Sequence, residues 1–369
     1  MSFASCLLAG ALAMSASGAG LEPISSAEFC GRCHRAIHEA WKSSSHARSM
    51  ESRLFQDALE SAESELGSAI RKTCLSCHAP IAVQTGDLTL QKKVSWEGVT
   101  CDYCHSVREV VLTGLDPKAK LEFGLTKSGT LKGATPTAHG AVFSEVHTSS
   151  AICVPCHEYR NAQGFAVLST YSEWKASSYA KAGKQCQSCH MSRVAGDVVD
   201  PKIKRSSDNR VNLHQMPGSH SIDQLTSTVK AQLSTVREGG KLKVTVDVAN
   251  AAAGHYVPTG SPLRKIVLEL RADSYDGKHF RQERVYQRTV AGQDGTPLER
   301  EHLAFVKAAK TTSDTRLAPD EKRAETFYFD IPQGVQAQVK ATFWYHYSPT
   351  ATAETEKRVT FLTISRLAR

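Results

Sequence analysis

Two things are scarce in this 369-residue chain: aromatic residues, at 7% of positions, and long apolar runs after the first twenty residues. The second absence argues against a membrane-spanning helix in the mature chain, since such a helix needs about 20 apolar residues. The scarcity of aromatic residues raises the question of what fills the hydrophobic core. No module typical of nucleic-acid binding occurs either, so the formal net charge of +8 does not indicate a nucleic-acid partner.

Cysteine, by contrast, follows a strict pattern. Ten of the 11 cysteines form five C-x-x-C-H modules. This pattern is typical of c-type haem attachment, in which two thiols become thioethers and the histidine binds iron. It predicts five covalently attached haems c. The predicted attachment residues are Cys30, Cys33, Cys74, Cys77, Cys101, Cys104, Cys153, Cys156, Cys186 and Cys189, and the predicted proximal ligands are His34, His78, His105, His157 and His190.

Zinc binding, thiol redox chemistry and disulfide bonding account for the modules less well. Zinc sites pair C-x-x-C units, whereas five is an odd number, and zinc does not need a histidine after every second cysteine. A thioredoxin-like motif would occur once, within a βαβ unit. A disulfide framework would not repeat one spacing five times. Five haems in about 190 residues also answer the question of the core, since the porphyrins themselves would supply much of it.

The amino terminus predicts export. Residues 4–20 are small and apolar, and Ser17-Gly18-Ala19 suits a secretory cleavage site, although no basic segment precedes the run. We therefore predict a signal peptide over residues 1–20, which includes Cys6, and a periplasmic or extracellular protein with no transmembrane span in its mature chain.

The patterning changes near residue 222 and predicts an α+β protein. Residues 21–222 are expected to form a mainly helical and loop-rich haem domain, with helices over 28–48, 51–72 and 171–183. Residues 223–369 show period-two alternation in five stretches and predict an antiparallel β-sandwich of Ig-like style. Those stretches are 241–250, 264–273, 324–331, 335–347 and 358–367.

The first module is followed by two more histidines. His38 lies one helical turn after His34 and on the same face, so it cannot easily reach the far side of the same haem. His46 lies twelve residues after His34, which in a continuous helix is about 18 Å along the axis. His46 therefore cannot serve the first haem, but it can serve a neighbouring one.

The stretch CGRCHRAIHEAWKSSSHARSME (30–51) resembles the cytochrome c-554 family, relatives of the hydroxylamine oxidoreductase-type multihaem cytochromes, and VTCDYCHSV (99–107) is similar to that family's third module. The resemblance covers residues 28 to about 160. It implies that His46 is the distal ligand of the fourth haem and that the first haem takes His139 or, as the alternative, His147. It also implies an open second haem, on His78. The chain departs from the family in its fifth module and its C-terminal β region.

The remaining distal candidates lie after the fifth module. His214 and His220 stand in HQMPGSHS, which is similar to a segment of larger multihaem cytochromes. His255 stands in AGHYVPTG, which resembles a loop of multihaem cytochromes with a β domain. The histidines at 279, 302 and 346 fall on predicted β segments and are expected to be structural, and Met191 and Met216 are expected to pack rather than ligate.

The ligand count favours electron transfer. Ten histidines lie outside the modules, twice the number that full bis-histidine ligation of five haems needs, and a saturated iron only accepts and passes electrons. We predict an electron carrier with no catalytic residue, serving redox partners such as other cytochromes or membrane-bound oxidoreductases. One alternative is a nitrite- or hydroxylamine-type oxidoreductase acting on a small nitrogen or sulfur compound at one open haem. The other is a subunit of an extracellular conduit or filament, assembled as a homo-oligomer or complex.

Overall fold

The computed structural model describes residues 24–112, 117–204, 209–347 and 358–369. The predicted signal peptide lies outside these ranges. Within them the chain is a mixture of short helices and mainly antiparallel strands, with Thr126–Gly129 and Gly140–Phe143 as a parallel pair, and this agrees with the α+β assignment. No helix in the described ranges has the length and apolar character needed to cross a membrane.

The module-bearing region is built of short elements joined by turns. Its helices are α1 (Ala27–Gly31), α2 (Arg35–Lys42), α3 (Arg53–Leu66), α4 (Ile70–His78), α5 (Pro80–Thr85), α6 (Cys101–Ser106), α7 (Val154–His157), α8 (Thr170–Ala176), α9 (Ser178–Lys181) and α10 (Cys186–His190). Its strands form two-stranded pairs: β1 (Val107–Val111), β2 (Lys118–Leu121), β3 (Thr126–Gly129), β4 (Gly140–Phe143), β5 (Glu158–Arg160), β6 (Ala166–Ser169), β7 (Arg193–Ala195) and β8 (Arg210–Asn212).

The single helix predicted over 28–48 is wrong. The chain forms α1 and α2 instead, and His46 lies in turns after α2 ends at Lys42. The reason is local: Ser43 donates to the carbonyl of Ala40, and Ser44 accepts from the Ala47 amide, so serine side chains bond to backbone groups near the point where the helix ends. The turns, rather than a rigid helix, therefore set the position of His46.

The other two predicted helices are also divided. The 51–72 stretch separates into α3 and α4 at Gly67, whose φ of +87° no helix contains. The 171–183 stretch separates into α8 and α9 at Ser177, which is extended. Both divisions occur at residues that favour a helix end, glycine in the first case and serine in the second.

The second region carries the longer strands. Its elements are α11 (Ile222–Thr228), β9 (Val229–Glu238), β10 (Lys241–Asn250), β11 (Lys265–Ser274), β12 (His279–Tyr286), β13 (Arg288–Ala291), α12 (Glu301–Lys307), β14 (Lys310–Asp314), β15 (Lys322–Phe329), β16 (Ala337–His346) and β17 (Arg358–Ala368). His302 therefore lies on a helix and not on a β segment, which corrects its predicted placement.

Two antiparallel sheets share one core. One sheet has the order β15-β10-β9 and the other β12-β11-β16-β17. Alternate residues of β10, from Leu242 to Val248, are buried, as period-two patterning requires. They join one apolar cluster with Ile266 and Leu268 of β11 and Phe343 of β16. The sequence pattern predicts five of these strands and misses β9 and β12, the edge partners of β10 and β11.

Buried polar contacts join the two regions. The guanidinium of Arg316 lies 2.8 Å from the carboxylate of Glu173, and both side chains are almost fully buried. Glu173 also accepts a hydrogen bond from the backbone amide of Tyr256 at 3.1 Å. Asn161 donates to the carbonyl of Ala308 at 2.7 Å. Because a buried ion pair is costly to break, these contacts fix the loop that carries His255 against the module-bearing region.

Candidate functional site

A single continuous cavity runs between the two regions. Its volume is about 1560 Å³, larger than the roughly 300–1,000 Å³ of ordinary ligand pockets. It is lined by all ten module cysteines and all five module histidines, and also by the six distal candidates named from the sequence. The fold therefore gathers these cysteines and histidines, which are up to 225 positions apart in the chain, around one space.

Four module histidines face a second imidazole across this cavity. The ring-centre distances are 6.1 Å for His34–His139, 6.2 Å for His157–His46, 6.4 Å for His105–His214 and 6.4 Å for His190–His255. Two metal–nitrogen bonds of about 2 Å, with about 1.1 Å from each nitrogen to its ring centre, put two axial imidazoles of one metal about 6.2 Å apart. All four pairs have the spacing that a shared iron requires.

The hydrogen bonds of these imidazoles leave the correct nitrogen available. The Nδ1 atoms of His34, His105 and His190 lie 2.5–2.6 Å from the carbonyl oxygens of Val198, Ser128 and Pro217. Since a carbonyl only accepts, each Nδ1 carries the proton and each Nε2 keeps its lone pair. Such a hydrogen bond from the far nitrogen is typical of metal-bound histidine.

The facing histidines show the same arrangement. The Nδ1 atoms of His139, His214 and His255 lie 2.6–2.9 Å from backbone carbonyl oxygens of Gly140, Asn212 and Tyr256. His46 differs, because its Nδ1 lies 2.9 Å from the sulfur of Met216. Met216 thus contacts a candidate ligand directly, a role beyond the packing that the sequence predicts for it.

Two distal candidates do not face a module histidine across a shared axis. His147 lies 5.7 Å from His105, but its Nε2 is 2.9 Å from the carbonyl oxygen of Cys104 and so carries a proton. His220 stacks on Tyr347 at 4.3 Å. His38, which the sequence does not favour as a ligand, lies against Trp41 and next to Gly31.

The second module is the exception among the five. The ring of His78 stacks on Phe55 at 3.8 Å, and among the described residues no imidazole lies opposite it. Its Nδ1 is buried without a hydrogen-bond partner. Burial, together with the charge of Arg264, lowers the pKa of His78 to about 4, so the imidazole is neutral. A neutral imidazole is the metal-binding form.

Burial keeps other imidazoles neutral as well. It lowers the pKa of His157 to about 3 and that of His214 to about 4, and it also lowers the pKa of His46, His105 and His255. A buried imidazolium would need a counter-charge, whereas a neutral imidazole offers a lone pair to a metal without that cost.

The modules contact one another through their cysteines. The thiol of Cys30 contacts that of Cys101, Cys77 contacts Cys156, and Cys153 contacts Cys186. Modules one and three are therefore neighbours, as are two and four, and four and five. The fourth module lies between the second and the fifth, which places the five attachment sites close together.

Close backbone contact holds His46 in place. Val99 donates its amide to the carbonyl of His46 at 3.0 Å, and Trp41 donates its indole N–H to the carbonyl of Val99 at 2.9 Å. Gly98 makes this approach possible, because its φ is +67° and a Cβ there would lie 2.2 Å from the His46 carbonyl oxygen. A glycine next to the third module thus positions a ligand candidate of the fourth.

The residues fit haem c better than a metal ion alone. Among the described residues, no group of three or more histidine, cysteine or acidic side chains could hold a metal ion. Two facing imidazoles together with two thiols beside the first are instead the donor set of a bis-histidine haem c.

Several residues that line the cavity cannot be found from the sequence. They include Phe55, Arg264 and Glu301, which are neither cysteine nor histidine and follow no motif. The carbonyls of Val198, Ser128 and Pro217 carry no side-chain signal at all. Only contacts across the fold reveal them.

Comparison with known proteins shows which family part of the chain is similar to. A family model described as cytochrome c554 and c-prime matches residues 29–106. Cytochrome c-554 of Nitrosomonas europaea is 32% identical over 108 residues, which are 27% of this chain. The match spans 46% of that relative, so the chain covers less than half of its length.

A solved structure extends the similarity to most of the chain. The crystal structure of a penta-haem cytochrome c552 from Thermochromatium tepidum has a TM-score of 0.72, and the superposition covers 94% of this chain and 99% of that one. The sequences are 22% identical, so the comparison shows a shared fold that includes the β region.

Proposed function

The chain is a multihaem c-type cytochrome, and we propose that it transfers electrons between redox partners by means of five covalently bound haems c. The observation that carries the proposal is the set of four imidazole pairs at 6.1–6.4 Å. When bound, haem supplies a one-electron Fe(III)/Fe(II) couple. Two protein ligands at each of four irons would leave no position for a substrate there.

The proposal assigns each residue a task. The ten module cysteines attach the haems, and His34, His78, His105, His157 and His190 are their proximal ligands. The distal ligands are His139 for the first haem, His214 for the third, His46 for the fourth and His255 for the fifth. The proposal leaves His147 out, because its Nε2 lies 2.9 Å from the carbonyl oxygen of Cys104 and would carry a proton there.

The cysteine contacts support a route for the electrons. Modules one and three touch, and module four touches modules two and five. Burial also raises the pKa of Tyr103, which interacts with cysteines of modules two, three and four and thereby links the two groups. We propose that the route of the electrons between the haems branches at the fourth attachment site.

We further propose two domains, residues 21–222 and 223–369, the second an Ig-like sandwich whose loop supplies His255. Export to the periplasm or beyond is part of the same proposal, since thioether attachment is typical of exported cytochromes. The redox partners would be other cytochromes or membrane-bound oxidoreductases.

Protein-film voltammetry tests the proposal. An electron carrier should give reversible signals that account for five electrons per chain and should show no catalytic current with nitrite or hydroxylamine. A sustained catalytic current with either compound would instead favour the oxidoreductase alternative. One observation favours that alternative, namely that His78 faces no second imidazole among the described residues.

A further inference from the structure

The loop that carries His255 contacts α8 and α9 on both sides of that histidine. On one side, Gly254 packs so closely that a Cβ there would lie 2.8 Å from the Cβ atom of Tyr179. On the other side, the backbone amide of Tyr256 donates to Oε2 of Glu173 at 3.1 Å. Both helices lie between the fourth and fifth modules in the chain. The segment that precedes the fifth module therefore contacts both neighbours of its proposed distal ligand.

Both carboxylate oxygens of Glu173 have hydrogen-bond partners. Besides the amide described above, Oε2 accepts from the hydroxyl of Thr259 at 3.3 Å. Oε1 accepts from the guanidinium of Arg316 at 2.8 Å and from the hydroxyl of Ser169 at 2.9 Å. Asp314 accepts two further bonds from the same guanidinium, at 2.8 and 2.9 Å. Because the ion pair is buried and hydrogen-bonded on all sides, the carboxylate of Glu173 is held in one position.

Tyr256 connects this ion pair to His255. Its amide is bonded to Glu173, and the guanidinium carbon of Arg316 lies 4.6 Å from the centre of its ring. Its carbonyl oxygen lies 2.9 Å from Nδ1 of His255 and accepts the proton of that nitrogen. Two contacts thus fix the residue whose carbonyl orients the imidazole. A hydrogen bond from the nitrogen that does not bind the metal sets both the orientation of an axial imidazole and its basicity.

We propose that Glu173 is a positioning residue for the fifth haem: acting through Tyr256, it holds the ring of His255 and thereby sets the reduction potential of that haem. The inference rests on the proposed function, because it assumes a haem between His190 and His255. The ring planes of these two imidazoles are 14° apart, whereas those of the fourth-haem pair are 73° apart. Since the angle between axial imidazoles shapes the low-spin ferric spectrum, the two haems should give different signals.

The direction of the effect follows from charge. Ferric haem carries one more positive charge than ferrous haem, so the carboxylate of Glu173 stabilises the ferric state and lowers the potential. The hydrogen bond from Nδ1 of His255 acts in the same direction, because it makes the imidazole a stronger electron donor. Removal of the carboxylate also leaves the guanidinium of Arg316 with one anion fewer. Loss of Glu173 should therefore raise the potential of the fifth haem.

The test is a redox titration of the holoprotein that is followed by electron paramagnetic resonance. The signal of the fifth haem is identified as the low-spin signal that His255→Ala removes. Glu173→Gln keeps an acceptor for the Tyr256 amide, so this signal should keep its g values while its potential rises. Glu173→Ala removes the acceptor, so the signal should also broaden and its potential should rise further. The signals of the other low-spin haems should not change in either variant.

Glu63→Gln is the matched control. Glu63 also pairs with an arginine, Arg71 at 2.6 Å, but it lies on α3 before the second module. This variant should leave both the signal and the potential of the fifth haem as they are in the wild type. If Glu173→Ala does not assemble with five haems, Glu173→Gln decides alone, since it retains the shape of the side chain and a rise confined to the fifth haem is still expected.

Four results would overturn the inference. One is a fifth haem whose potential and g values are the same in wild type and both Glu173 variants, as expected if Glu173 only stabilises the fold. Another is a fall of its potential in Glu173→Gln, and a third is an equal shift at every low-spin haem. The last is a His255→Ala variant that keeps every low-spin signal, because His255 would then not be a ligand. The electron-transfer proposal fails separately, if the haems cannot be reduced and reoxidised reversibly.

Discussion

The tight contact at Gly98 gives a prediction whose size follows from the geometry. An alanine Cβ at this position would lie 2.2 Å from the carbonyl oxygen of His46 and 2.5 Å from Oγ of Ser49. The left-handed φ of +67° costs an alanine about 1–2 kcal/mol, and overpacking against backbone adds about 1–3 kcal/mol. We expect Gly98→Ala to destabilise the protein by about 2–5 kcal/mol in total.

Gly86 provides the matched control. Its φ is +70°, and a Cβ there would meet nothing within 4 Å, so Gly86→Ala carries the backbone cost alone. Thermal unfolding of the holoprotein should show a larger Tm decrease for Gly98→Ala than for Gly86→Ala, because only the first carries the additional cost of about 1–3 kcal/mol from overpacking. Each kcal/mol should lower Tm by less than the about 2–4 °C expected for 150–250 residues, because this chain is longer. Because relief of the clash moves His46, only Gly98→Ala should lose low-spin character at the fourth haem. Equal Tm shifts with unchanged spectra would refute the reasoning.

Three other variants test separate parts of the account. His46→Ala should keep the haem count at five but make the haem on His157 high-spin, and a change at the first haem instead would refute the pairing. His255→Ala should do the same at the haem on His190, and a high-spin fraction equal to that of the wild type would contradict the role of the loop. Glu301→Gln should raise Tm increasingly as pH rises above the ordinary glutamate pKa of about 4.3. Burial raises the folded-state pKa of Glu301 above 4.5, so the wild type loses stability as the unfolded chain ionises first, and a gain that shrinks with rising pH would contradict this sign.

The attachment residues and much of the fold can be predicted from the sequence, because both depend on short local patterns. Each five-residue module indicates haem attachment by itself. Alternation of apolar and polar residues in stretches such as 241–250 and 264–273 predicts strands β10 and β11, which occupy interior positions in the two sheets. Edge strand β12 escapes prediction because two of its less exposed positions hold Gln282 and Arg284, whereas Val285 is exposed, so its apolar and polar residues do not alternate clearly.

Distal pairing is harder to predict, because it depends on contacts between distant segments. His46 and His255 reach modules that lie far away in the chain, and only a resemblance suggests the first of these pairings. His147 looks as suitable as His139 in sequence, and a single hydrogen bond to the carbonyl of Cys104 separates them.

The most direct test is a combined count of haem and spin in the oxidised protein. A pyridine haemochrome assay gives haems per chain, and quantitative electron paramagnetic resonance gives the low-spin and high-spin fractions. The account predicts five haems per chain, four of them low-spin with two imidazoles each and one high-spin on His78. Fewer than five haems, or any other division between the two spin states, would contradict it.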